Sequence, residues 1–158
     1  MQEGRKMRRQ DRLVSEERAR EILANAEYAV LMTADAEGQP YGVAVSHVLA
    51  GDCLYFHCAK EGRKLENLRQ NPKVCVMGVS HTFVEREKYT HRYESAVAEG
   101  EAVLLCDPEE KLAALRLICR KYAAGSFKDQ DAYILPKLEQ TAVVRIDIKT
   151  LSGKVNAE

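Results

Sequence analysis

Apolar residues recur along this chain in two rhythms. A spacing of three or four marks residues 15–26 and 108–125, and short alternating or unbroken runs fill most of the rest. The first rhythm predicts helices. Ser15 can cap a helix whose first turn carries Glu16 and Glu17, with Ala19, Ile22, Leu23 and Ala26 on one face. Asp107-Pro108-Glu109-Glu110 supplies a cap, a proline at the first helical position and an acidic first turn, and Leu112, Leu115, Cys119 and Tyr122 then share a face until Gly125. A third helix runs from Gly62 to Gln70 on the spacing of Leu65 and Leu68, and Asn71-Pro72 stops it. Residues 126–137 predict at most a short helix around Asp131 to Leu135.

The second rhythm predicts six strands: Tyr28 to Thr33, Pro40 to Leu49, Cys53 to Cys58, Lys73 to Val79, Tyr93 to Cys106 with a bend at Gly100, and Thr141 to Lys149. The turns Asp35 to Gln39 and Ala50-Gly51-Asp52 are short enough to join antiparallel neighbours. His81 to Arg92, a mixture of cations, carboxylates and histidines, reads as a loop or an exposed edge. The fold class that follows is mainly β with flanking helices, an antiparallel barrel with helices at its ends. Residues 1–6 read as a tail and 7–158 as a single domain.

Charge changes this picture little. Twenty-four basic and 24 acidic side chains cancel, so no overall field draws the chain to nucleic acid or an anionic membrane. The basic start, Arg5, Lys6, Arg8, Arg9 and Arg12, reads as a solvated or dimer-contacting arm. No apolar run exceeds five residues, far below the roughly 20 of a membrane span, and no secretory segment follows the basic start, so the expectation is a cytoplasmic protein. Five cysteines without a C-x-x-C spacing read as reduced thiols in the core, and Cys53 and Cys58 fall on opposite faces of one strand.

Candidate chemistry concentrates between His57 and Lys64, where a strand ends, a glycine turns the chain and a helix begins. The first N–H groups of a helix lack partners within it, and its dipole favours negative charge. Gly62, Arg63 and Lys64 therefore form a candidate phosphate site with His57 at its rim. An ordinary helix start beside a structural histidine is the plainer alternative. Other chemistries lack their motifs: there is no G-x-G-x-x-G after a strand, no G-x-S-x-G and no H-E-x-x-H. His81 and His91 near Glu85, Glu87 and Glu94 read as solvated residues rather than metal ligands.

Ordered blocks along the chain carry a further signal. They are Met7 to Arg12, Tyr28 to Thr33, Gly38 to Ser46, Tyr55 to Lys64, Asn67-Leu68, Asn71 to Val74, Tyr93 to Val97, Gly100 and Thr141 to Ile146. Together they resemble the FMN-binding split-barrel superfamily of pyridoxamine 5′-phosphate oxidase, in its nitroimidazole-resistance (Nim) type branch. The resemblance implies a six-stranded antiparallel split barrel that binds FMN between the subunits of a homodimer. Carried over by position, Val45 and Ser46 would lie along the isoalloxazine edge, and His57, Cys58 and Ala59 would line the flavin. Arg63 and Lys64 would meet the phosphate, and Ser95 would stand near the cofactor. The chain departs from the family at Ala44, where proline is commoner, and at Cys58, where a serine or other small residue is usual.

Two functions follow. One is an FMN-dependent oxidoreductase, with NADH or NADPH as electron donor, a nitro compound or another small molecule as oxidant, and His57 as the catalytic candidate. The other is a flavin-binding module for sensing or storage.

Overall fold

The computed structural model describes residues 7–126 and 128–157. The expected tail at residues 1–6, with Arg5 and Lys6 of the basic arm, lies outside the described residues.

The chain opens with a 3₁₀ turn at Gln10–Arg12, a two-residue strand β1 (Leu13–Val14) and helix α1 (Glu16–Asn25). Strands β2 (Ala29–Ala34), β3 (Pro40–Val45), β4 (His47–Ala50) and β5 (Cys53–Ala59) follow, then α2 (Arg63–Gln70). Two long strands, β6 (Lys73–Glu85) and β7 (Thr90–Leu104), precede α3 (Pro108–Tyr122), α4 (Gln130–Ile134), a 3₁₀ stretch (Leu135–Gln140) and β8 (Thr141–Asn156). All strand pairings are antiparallel, in the order β3-β2-β6-β7-β8-β5-β4, with β1 on β8. The two ends of that order, β3 and β4, are consecutive in the chain and are separated only by Ser46. A single bend therefore carries the polypeptide from one edge of the sheet to the other and closes it into a split barrel.

That bend accounts for the strand count. The apolar stretch Pro40 to Leu49 reads as one strand, but its halves pair with different partners, Val45 with Ala29 and His47 with Phe56. With β1 added, eight strands stand where six are expected, and the mainly β class holds. Of the two readings of His81 to Arg92, the structure has the exposed edge and not the loop. β6 and β7 continue through this run as a two-stranded ribbon that turns at Arg86–Lys88 and Tyr89. Cross-strand pairing there includes Arg92, whose guanidinium makes two bonds of 2.9 and 3.0 Å to the Glu85 carboxylate. A period-two apolar signal cannot reveal a ribbon whose two faces both meet water.

The barrel interior holds Leu31, Leu54, Phe56, Val76, Val144 and Ile146, closed at one end by Ile22 and Leu23 of α1. Burial of such side chains stabilises the fold by roughly 1.5–3 kcal/mol each. α1 approaches closely because β8 presents Gly153. A Cβ there would stand 2.7 Å from Val14 Cγ2 and 2.8 Å from Ala19 Cβ. The helix caps are those the sequence predicts: Ser15 Oγ accepts from Arg18 N at 3.2 Å, and the Asp107 carboxylate from Glu110 N at 2.9 Å. On the outer side of β5 and β8, α3 buries a second cluster of Leu105, Leu115, Ile118, Ile134 and Val143.

The cysteines correct one expectation. All five carry free thiols, but none is fully buried: Cys53, Cys58 and Cys75 on strands and Cys119 on α3 are half-buried, and Cys106, just past the end of β7, is exposed. Among the described residues no helix is long and apolar enough to cross a membrane.

Candidate functional site

β5 runs out of pairing at Ala59, opposite Thr141 of β8, and the chain then turns at Gly62 before α2 begins. Gly62 adopts φ 127°, a conformation side chains rarely tolerate, so the sharp turn onto the helix axis depends on glycine here. As the residue preceding the helix it has no side chain to cap it, which leaves the first N–H groups of α2 for an outside acceptor. Arg63 and Lys64 follow at once. Among the described residues neither pairs with a carboxylate, so both charges are available to an anion.

Three elements converge on this helix start. The Arg63 guanidinium lies over the ring of Tyr41, from β3, at 4.6 Å from its centroid. Asn67 Nδ2 donates to Thr33 Oγ1 of β2 at 2.9 Å, and Thr33 Oγ1 donates to the Tyr41 carbonyl at 3.4 Å. Thr33 and Asn67 are both 4% exposed, so this chain of hydrogen bonds is sealed inside and ties α2 to β2 and β3. Lys64 is half-buried beside Cys58 of β5. Burial pushes the Cys58 thiol pKa up, and the Lys64 charge partly offsets that rise.

The other sequence candidates fall around this point to different degrees. His57 is exposed on the outer face of β5, opposite Val143, with protein packed closely enough round the ring to lower its pKa below the ordinary imidazole value. At pH 7 it is neutral, able to donate through one nitrogen and accept through the other. Ala59 shares that outer face, whereas Cys58 points inward and packs against the core. Ser46 is exposed, and the register that pairs His47 with Phe56 sets it level with His57. Val45 is 8% exposed with its side chain in the core, so only its backbone can face a ligand.

Ser95 is not part of the group. It lies on β7 between Val79 and Lys154. Lys154 stands 11 residues along β8 from the partner of His57, up to about 36 Å on an extended strand.

Tyr41, Thr33 and Asn67 receive no role from sequence reasoning, because nothing in their local spacing shows that two strands and a helix meet. His47 is another such residue. It is fully buried, its Nε2 donates to the Leu23 carbonyl at 2.7 Å, and its Nδ1 has no hydrogen-bond partner among the described residues. Desolvation, with the nearby Lys121 charge adding to it, lowers its pKa to about 4. Lys121 donates to the Ala26 carbonyl at 2.9 Å, and burial lowers its own pKa to about 8. The Tyr122 hydroxyl accepts from His47 N at 2.9 Å and stands 2.8 Å from the carbonyls of His47 and Glu27. Together these groups fix α3 to the bend between β3 and β4.

The site suits a phosphate monoester carried on a flat ring system: a helix start with unpaired cations for the phosphate, and the open edge of β5 with Ser46, His57 and Ala59 for the ring. The crevice beneath α2, lined by Leu65, Leu68, Arg69, Ala102 and Leu104, holds about 100 Å³. That is below the roughly 300 Å³ of a small-ligand pocket, so such a ring would lie on the open surface rather than in this crevice. Among the described residues no cluster of histidine, cysteine or carboxylate side chains could hold a metal ion.

Comparison with known proteins agrees with this architecture. The family model described as pyridoxamine 5′-phosphate oxidase matches residues 15–155. A candidate 5-nitroimidazole antibiotic resistance protein from Bacteroides thetaiotaomicron superposes with a TM-score of 0.78 at 29% identity, over 90% of this chain and 86% of that one. The flavocytochrome Anf3 from Azotobacter vinelandii gives a TM-score of 0.79 at 20% identity, over 97% and 73% of the two chains. An FAD-binding protein from Mesorhizobium loti gives 0.70 at 22% identity, over 92% and 98%. No curated protein matches the sequence.

Proposed function

The chain belongs to the pyridoxamine 5′-phosphate oxidase family, and on that premise we propose that it binds FMN at the start of α2 and acts as a flavin-dependent oxidoreductase. The observation that carries this reading is the meeting of Gly62, Arg63 and Lys64 at an uncapped helix start beside the open end of β5. A phosphate monoester close to a dianion finds there two cations and free N–H groups, each charge-assisted bond contributing roughly 1.5–3 kcal/mol. FMN, when bound, supplies hydride and electron transfer. The chain's own part is to hold the phosphate with Arg63 and Lys64, to lay the ring along Ser46, His57 and Ala59, and to offer the neutral His57 imidazole as proton donor or acceptor to a small substrate.

NADH or NADPH is the electron donor in this reading and a nitro compound or similar small oxidant the acceptor. The 29% identity to the candidate nitroimidazole resistance protein supports that acceptor class. The functional unit is a homodimer. Ser95 lies toward the opposite end of β8 from the partner of His57, and the outer face of β2, β3, β6 and β7 carries Val30, Met32, Ala44, Met77, Val79 and Val97 with no described element of this chain over it.

The test is the visible absorption spectrum of the purified protein incubated with FMN, followed by each nicotinamide without oxygen and then a nitroaromatic compound. Flavin absorption that bleaches with a nicotinamide and returns with the oxidant is expected. No FMN uptake would overturn the assignment of the site, and flavin that stays oxidised with every donor would make the protein a binding module.

A further inference from the structure

An exposed arginine loses less freedom on meeting an anion if its long side chain is already held in place. Arg63 is exposed and pairs with no carboxylate among the described residues, yet its guanidinium is fixed 4.6 Å above the half-buried ring of Tyr41. The backbone that carries that ring is itself anchored. The carbonyl of Tyr41 accepts from Thr33 Oγ1, which accepts in turn from Asn67 one helical turn beyond Arg63 on α2. The buried chain thus sets the distance between β3 and α2, and the ring face then sets where the guanidinium rests. We propose that Tyr41 is a positioning residue for the anion site: it holds Arg63 ready for a phosphate and so makes the site prefer FMN over riboflavin, which has the same ring system and no phosphate. The proposal rests on the flavin reading above.

A guanidinium over an aromatic face is attracted by the ring's negative quadrupole, and a group already held loses less freedom when its ligand arrives. Lys64 lies over no aromatic ring among the described residues and meets the anion as a compact point charge. Tyr41 therefore contributes to affinity only through Arg63 and only for a ligand that carries the phosphate.

Fluorescence titration of FMN and of riboflavin against the full chain tests this. The measured quantity is the ratio of the two affinities. Tyr41→Leu is expected to lower the ratio roughly two- to fivefold, the scale of an exposed cation–ring contact, with riboflavin affinity unchanged. Tyr41→Phe, which keeps the ring, restores the parent ratio, and in an Arg63→Ala background Tyr41→Leu has no further effect. Tyr41→Met, whose flexible side chain fills the same space, takes the place of Tyr41→Leu if that variant does not fold.

An unchanged ratio in the Leu or Met variant overturns the proposal, as does an equal loss for both ligands or a loss that persists without Arg63. A parent protein that binds FMN and riboflavin equally overturns the anion site itself, and the role of Tyr41 falls with it.

Discussion

At the scale of single residues, two histidines of one barrel end have opposite surroundings. His57 is exposed on β5 and among the described residues no side-chain hydrogen bond holds it, so His57→Ala is expected to leave the melting temperature of the flavin-bound protein nearly unchanged. Turnover per folded, FMN-loaded molecule should fall about 10²-fold, the scale of a lost proton donor or acceptor. Large destabilisation with intact turnover would make His57 a structural residue instead. His47 is buried and neutral. Its folded pKa of about 4 lies below the 6.5 of an exposed imidazole, so the unfolded chain binds the extra proton between those values. Its neutral form thus favours the fold fully above about pH 6.5, and that contribution is lost as pH falls towards 4, to a total of about 3 kcal/mol. Urea denaturation at pH 7.5, 6 and 5 should show the loss, and His47→Met should flatten it; equal slopes for both proteins would remove His47 from the explanation.

At the scale of elements, α1 fits closely against β8 at Gly153. Gly153→Ala places a methyl group against Val14 and Ala19 with backbone behind it, and is expected to cost roughly 1–3 kcal/mol, read as a lower melting temperature. Gly42→Ala is the control, since its Cβ would meet Val30 Cγ1 at an ordinary 3.7 Å. Elements of this kind were legible in the sequence wherever local chemistry decides them. The caps at Ser15 and Asp107 and the glycine before Arg63 specify their helices without help from the rest of the chain. What stayed hidden depends on partners distant in sequence. Ser46 ends β3 only because Val45 and His47 pair with different strands. The ribbon at His81 to Arg92 carries no buried face to mark it, and β8 continues past Lys149 through Asn156 because β7 and β1 are there to receive it. The site divides along the same line: Arg63 and Lys64 could be read from their place before an apolar helical spacing, whereas the Asn67–Thr33–Tyr41 chain exists only once three elements meet.

At the scale of the whole molecule, the barrel has one outer face covered by α3 and another left bare by the described residues. Met77 lies on the bare face between Val30 and Val97, half-buried and packed into no core cluster. Met77→Glu should therefore leave the protomer folded while separating dimers, which sedimentation velocity would show as a smaller particle with unchanged circular dichroism. A parent chain that sediments as a monomer with FMN bound at full stoichiometry would remove the dimer from the proposal.

The position of β8 bears on how the protein is made. This last described strand pairs with β1, β5 and β7, and its contact with β5 joins Ala59 and Thr141, 82 positions apart in the sequence. A ribosome adds about 5–20 residues each second, so the free edge of β5 waits roughly 4–16 s for the strand that covers it. During that interval the nascent chain presents Leu54 and Phe56, later among its most buried side chains, to the cell's other proteins. The barrel therefore closes late, only when β8 reaches the waiting edge.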